Sequence, residues 1–172
     1  MIAIVTRVIV VGIVFMSLSS CSKKLQVADA QEAQKIASES KLVSYLERTP
    51  CYGKCPVYKI EIYDNGLVTY EGIRFTEKIG KYYGIIKEIE VQAIIDMALE
   101  IGYFEMADVY PTDETPPQDL PQTITMVTNG DVTQKVINKN YNSPEILKKL
   151  ENYIDETVAG VDWALYDSKM AE

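Results

Sequence analysis

The seven residues Val57-Tyr58-Lys59-Ile60-Glu61-Ile62-Tyr63, followed at once by Asp64-Asn65-Gly66, leave this chain fewer choices than any other stretch. Tyr58, Ile60 and Ile62 fall on one face and Lys59 and Glu61 on the other, the period of a half-buried β-strand. Asp-Asn-Gly is a hairpin signal, and the length of the turn decides which side chains face each other. A two-residue turn at Asn65-Gly66 would set Ile60 opposite Glu71. A three-residue loop sets Ile62 opposite Val68, Ile60 opposite Tyr70 and Tyr58 opposite Gly72. Only this register keeps the apolar set on one side and puts Gly66 where a left-handed residue is wanted. The three-residue loop is therefore expected.

The same reading extends along the chain. Lys41 to Glu47 is expected as a preceding strand, and Ile79 to Ile86 as a following one, weakened or bulged at Gly80 and Gly84. Val91, Ile94, Ile95, Ala98 and Ile101 then recur at helical spacing until Gly102 stops them. Pro111 to Pro121, with four prolines, is a loop. Thr123 to Val127 and Val132 to Ile137 form a second hairpin around Asn129-Gly130, its register open. A closing helix is expected with Ser143 as cap, Pro144 and Glu145 in its first turn, and Ile146, Leu147, Leu150, Tyr153 and Ile154 as its buried stripe. This order predicts an α+β domain: a mainly antiparallel sheet built from hairpins, with two amphipathic helices packed on one face.

The N-terminus is of another kind. Arg7, the apolar run Val8 to Met16 and the small residues after it have the pattern of an export signal, too short to span a bilayer. Leu18-Ser19-Ser20-Cys21 resembles a bacterial lipobox. The resemblance implies that residues 1–20 are a lipoprotein signal peptide and that Cys21 is acylated, as with palmitate. It also implies a cell-envelope location, with Ser22 pointing to the outer membrane. Residues 21–40 are polar, with few large apolar groups, and are expected as a lipid-anchored tether, at most transiently helical. Residues 41–172 are left as a single domain, large enough to bury a core. The formal charge of -8 speaks against nucleic acid and against electrostatic docking on anionic lipid, so the membrane contact expected is the lipid on Cys21.

An exported chain sits in an oxidising compartment, where Cys51 and Cys55 remain as an even pair. Zinc would want four soft or imidazole ligands, and the chain has no histidine. Copper(I) could add Met97, Met106 or Met126 to two thiolates, but no spacing points there. A redox motif usually has two residues between its cysteines and a helix starting at them; here Pro56 and a strand pattern follow. Gly53 lets the loop bend sharply enough for a bond to close. A structural disulfide is expected, with a thiol-redox or metal-handling role for Cys51 and Cys55 as the alternative.

Taken together, Cys51, Gly53, Cys55, Pro56 and Tyr58, the turn Asn65-Gly66, then Tyr70-Glu71-Gly72 and Asp119-Leu120-Pro121, form a pattern. It resembles a family of small bacterial envelope lipoproteins and secreted proteins whose Cys-x-Gly-x-Cys-Pro-x-Tyr domain has no assigned function. The resemblance spans about residues 41 to 165 and implies a compact envelope domain. It implies no activity.

Catalytic chemistry finds little support. Without histidine, Ser-His and Cys-His nucleophile arrangements are excluded, and there is no Gly-rich phosphate loop. Asp155 and Glu156 pair on the last helix, and Asp113, Glu114 and Asp119 share the Pro-rich loop without the glycine-punctuated spacing of a calcium site. No cofactor, no metal and no catalytic residue are expected. The 12 tyrosines against 3 phenylalanines leave room for a wet binding face. Binding of an envelope protein or glycan is the function expected, with Tyr110, Asp113, Glu114 and Asp119 on the binding surface, because long loops stiffened by proline lose less entropy when fixed on a partner.

Overall fold

In the computed structural model, which describes residues 25–166, the chain begins with helix α1 (Ala30–Glu39). Strands β1 (Leu42–Arg48), β2 (Val57–Tyr63), β3 (Leu67–Arg74) and β4 (Gly80–Ile85) follow, then helix α2 (Glu88–Glu100) and a 3-10 turn (Tyr103–Glu105). Strands β5 (Val109–Tyr110), β6 (Thr123–Asn129) and β7 (Val132–Asn138), helix α3 (Glu145–Ala159) and strand β8 (Ala164–Leu165) complete it. The fold is mixed α+β. One eight-stranded sheet runs β5-β7-β6-β1-β2-β3-β4-β8 and is antiparallel except where β5 joins β7. The export signal and Cys21 lie outside the described residues, and among those described no helix is long and apolar enough to cross a membrane.

The β2–β3 hairpin has the expected register, with Ile62 opposite Val68, Ile60 opposite Tyr70 and Tyr58 opposite Gly72. Gly66 adopts φ 85°, and its N–H donates to the Tyr63 carbonyl at 3.0 Å. In the second hairpin Asn129 faces Val132, so Gly130 and Asp131 make a two-residue turn. Strand β4 departs from expectation: it pairs with β3 without a break from Leu67–Ile85 to Gly72–Gly80. Neither Gly80 nor Gly84 makes a bulge, because both stay in register with β3, opposite Gly72 and Val68.

The main core joins Leu46, Ile60, Ile62, Val68, Val127 and Val136 of the strands to Val91, Ile94 and Ala98 of α2 and to Leu147, Leu150, Ile154 and Val158 of α3. Fully burying one such side chain stabilises the fold by roughly 1.5–3 kcal/mol, so these stripes set the phase of both helices. In α3 the stripe runs through Leu147, Leu150, Glu151, Ile154 and Val158, and Ile146, expected inside, turns outward. Ser143 is not the cap. The helix starts with Pro144 at that position, whose carbonyl accepts from the Leu147 and Lys148 N–H groups. The Ser143 hydroxyl is buried with no partner among the described residues.

A third helix was not expected. Asp29 caps α1 by accepting the Glu32 N–H at 2.9 Å, and Ala33 is fully buried against Leu67 and Tyr83 in a separate cluster that Leu25, Val27 and Ile36 complete. Leu67 precedes Val68 of the main core along the strand, so α1 lies on the reverse face of the sheet. Part of the segment read as a tether is thus folded. Its stripe is narrow and built on alanine, which composition alone does not reveal.

Candidate functional site

The residues expected at a binding surface separate into two groups. Tyr110 belongs to the framework: it lies in β5 opposite Asn138, its hydroxyl accepts the Ala107 N–H at 3.3 Å, and it packs against the main core. Asp113, Glu114 and Asp119 are exposed. Glu114 accepts from Asn142 Nδ2 at 2.6 Å, and Asp119, in a left-handed conformation with φ 65°, offers its carbonyl to the Tyr52 N–H at 3.3 Å. That last bond ties the Pro-rich loop to the cysteine loop. Thr49 and Gln122 add two more, one between backbones at 2.9 Å and one from the Gln122 N–H to Thr49 Oγ1 at 2.8 Å. Cys51 and Cys55 are bonded to each other, their Cα atoms 5.8 Å apart. Tyr52, at the tip of this stapled loop, is 93% exposed. A hollow of about 380 Å³ lies along the Pro-rich loop, between Pro116, Asp119, Leu120 and Lys139.

Beside these loops, at the same end of the sheet, lies a cleft that the sequence did not disclose. Arg48 ends β1 directly opposite Tyr58 of β2 and Thr123 of β6, and Asn138 of β7 extends the row. Helix α3 lays two carboxylates one turn apart over it. Glu151 accepts from Asn138 Nδ2 at 2.8 Å. Asp155 Oδ2 accepts from Arg48 Nη2 at 2.5 Å and Nε at 3.1 Å, while Tyr58 OH donates to Asp155 Oδ1 at 2.7 Å. Arg48 Nε also reaches the Tyr58 oxygen at 2.9 Å.

Aromatic rings wall the cleft. Tyr70 stacks on Tyr58 with ring centroids 5.7 Å apart and meets Trp163 at 5.5 Å. Trp163 can come this close because Gly84 has no side chain: a Cβ there would run into Val161 and the Asp162 carbonyl. The β3–β4 turn supplies the facing wall, with Phe75 half exposed at its rim under the Arg74 guanidinium. Thr76 Oγ1 donates to the Lys78 carbonyl at 2.8 Å and holds that turn in shape. The space enclosed is about 450 Å³, within the range of roughly 300–1,000 Å³ usual for ligand sites.

The electrostatics close on themselves. Burial works against the Arg48 charge, but Asp155 outweighs it and holds the guanidinium above its usual range. Burial and the neighbouring Asp155 charge push the Tyr58 hydroxyl well up, so it stays a neutral donor. Glu151 is raised by burial, against the opposing pull of Asn138 and Arg48. Among the described residues no three His, Cys, Asp or Glu side chains are grouped to hold a metal. The arrangement offers an apolar aromatic wall, a fixed carboxylate and a rigid backing, which suits recognition. The motif reading missed Arg48 and Trp163, had Tyr70 only as part of the family pattern, and took Asp155 only as half of a helical pair. Residues 43–158 match the model of a family described as a domain of unknown function, DUF6438. No curated protein matches the chain.

Proposed function

The chain belongs to the DUF6438 family of domains of unknown function, and we propose that this member is a non-catalytic binding domain of the cell envelope. In this reading lipid on Cys21 holds it to a membrane, the outer one where there are two. Helices α2 and α3 back the sheet on one face, and the sheet end bearing the cleft, the stapled loop and the Pro-rich loop is the binding surface. The observation that carries the reading is the cleft: aromatic walls around one carboxylate whose position Arg48 and Tyr58 fix from two sides. Sites whose polar groups are preset lose little entropy on binding. The stapled loop adds a rigid, exposed tyrosine beside it, the kind of side chain enriched in binding surfaces. The absence of histidine and the closed Cys51–Cys55 bond support recognition over catalysis.

Two measurements test this. Cys21→Ala in the full chain should move the protein from the membrane to the soluble envelope fraction and abolish acyl labelling. A photo-crosslinking amino acid at Tyr52 or Phe75 should capture a partner in native membranes, and the same group at outward-facing Ile146 should not. Equal capture at all three positions would overturn the site.

A further inference from the structure

We infer that the cleft binds a neutral saccharide, one or two pyranose rings of a glycan. This rests on the reading above that the sheet end is a binding site, and it names the ligand class.

The walls and floor of the cleft select by different chemistries. The charges that line it are matched: Arg48 is closed onto Asp155, and Glu77 and Lys78 neighbour each other, while Arg74 lies outside the lining, over the rim ring Phe75. The interior therefore offers a charged ligand no unpaired counter-charge, while a neutral one loses nothing. Tyr58 and Tyr70 stack on each other and Trp163 leans on Tyr70, so the three rings line the cleft as one apolar wall, against which an apolar group with a flat side can settle.

Two neutral ligands have such a side, a pyranose with its C–H face and a proline-rich peptide. Hydrogen bonding separates them. Of the donors that line the cleft, Tyr58 OH is occupied by Asp155, whereas Tyr70 OH and Trp163 Nε1–H donate to nothing among the described residues and suit the oxygens of either ligand. The acceptor is what tells the two apart. A carboxylate can accept about four hydrogen bonds. Asp155 takes two from Arg48 on Oδ2 and one from Tyr58 on Oδ1. One lone pair of Oδ1 is left at the wall of the cleft. A proline segment brings carbonyl acceptors and few N–H groups, so it has nothing to give that lone pair. A sugar brings hydroxyl donors around an apolar face. The cleft matches the sugar.

Trp163 is the only tryptophan in the chain, so the intrinsic tryptophan emission of the protein reports on this wall alone. The full chain is titrated with glucose, galactose, mannose, N-acetylglucosamine and their common α- and β-linked disaccharides, with hexaproline as the control. The expected result is a saturable emission change with at least one sugar and none with hexaproline. Phe75→Ala, which removes an exposed rim ring, and Tyr70→Leu should each weaken that binding about threefold or more, as the loss of one aromatic contact implies. No response to any sugar, or a response to hexaproline alone, overturns the saccharide assignment, and in the second case the binding-site reading survives. A sugar response that neither substitution weakens overturns both.

Discussion

Removing Asp155 is the most informative single change. The Arg48 and Asp155 side chains are 22% and 27% exposed, so Asp155→Ala leaves a largely buried guanidinium without its counter-ion and Tyr58 OH without its acceptor. Breaking a fully buried pair from one side costs about 3–5 kcal/mol, and access of water to about a quarter of each side chain brings the expected loss down to about 2–3 kcal/mol. With a urea slope of about 2 kcal/mol per molar, the unfolding midpoint falls by about 1–1.5 M. The structure contains its own control. Lys148 and Glu145 also form an ion pair, at 2.8 Å, but Glu145 is 81% exposed, and Glu145→Ala should leave the unfolding midpoint nearly where it was. Replacing both buried partners, Arg48→Met with Asp155→Leu, should recover most of the single-variant loss, because no charge is then stranded. Urea melts followed by circular dichroism measure all four proteins. An Asp155→Ala loss no larger than that of Glu145→Ala, or a double variant as unstable as the single one, would refute the account.

Other outcomes follow from the same geometry. Free-thiol titration of the folded, oxidised protein should find no reactive Cys51 or Cys55, and Cys51→Ser with Cys55→Ser should cost about 2 kcal/mol from the short closed loop. Gly66→Ala should destabilise by about 3 kcal/mol, since its new Cβ would meet the Ile86 carbonyl at φ 85°, whereas Gly130→Ala, also left-handed but with open space around it, should cost only about 1 kcal/mol. Differential scanning calorimetry compares the two glycine variants. Because the folded state raises the Glu151 carboxyl, its contribution to stability is complete below about pH 4.5 and is lost as pH rises through the raised value. Glu151→Gln should flatten that slope, read as stability against pH, with Arg48, Asp155, Asn138 and Thr123 unchanged around it.

Local features of the fold could be read because short-range rules decide them. Val57 to Tyr63 alternates, and only one turn length keeps Tyr58, Ile60 and Ile62 with an apolar set on the next strand, so register followed from the pattern. Ser143 misled because a serine before Pro-Glu is a good cap in isolation, while the burial of Leu147, Leu150 and Ile154 sets where α3 begins. Helix α1 was missed because its contact rests on Ala33, too small to count as a hydrophobic signal. The cleft was missed for a different reason. Arg48 and Asp155 are 107 positions apart, and Trp163 reaches Tyr70 only because Gly84 makes room for it. One trace did exist: Glu151 falls within the apolar stripe of α3, and a carboxylate there calls for a partner across the interface.

Both margins of the sheet end in strands of two residues, β5 on β7 and β8 on β4. An exposed strand edge is a template on which a second molecule can add its own strand, and a long, flat one propagates into fibres. Here the outermost rungs are too short to seed such a ladder. The longer strands just inside them are partly shielded, β4 at Tyr82 and Tyr83 and β7 at Ile137 and Asn138. Molecules of this design can therefore be crowded side by side without knitting their backbones together. Deleting residues from Ala164 onward would unshield β4, and slow, seedable aggregation would then be the phenotype to look for.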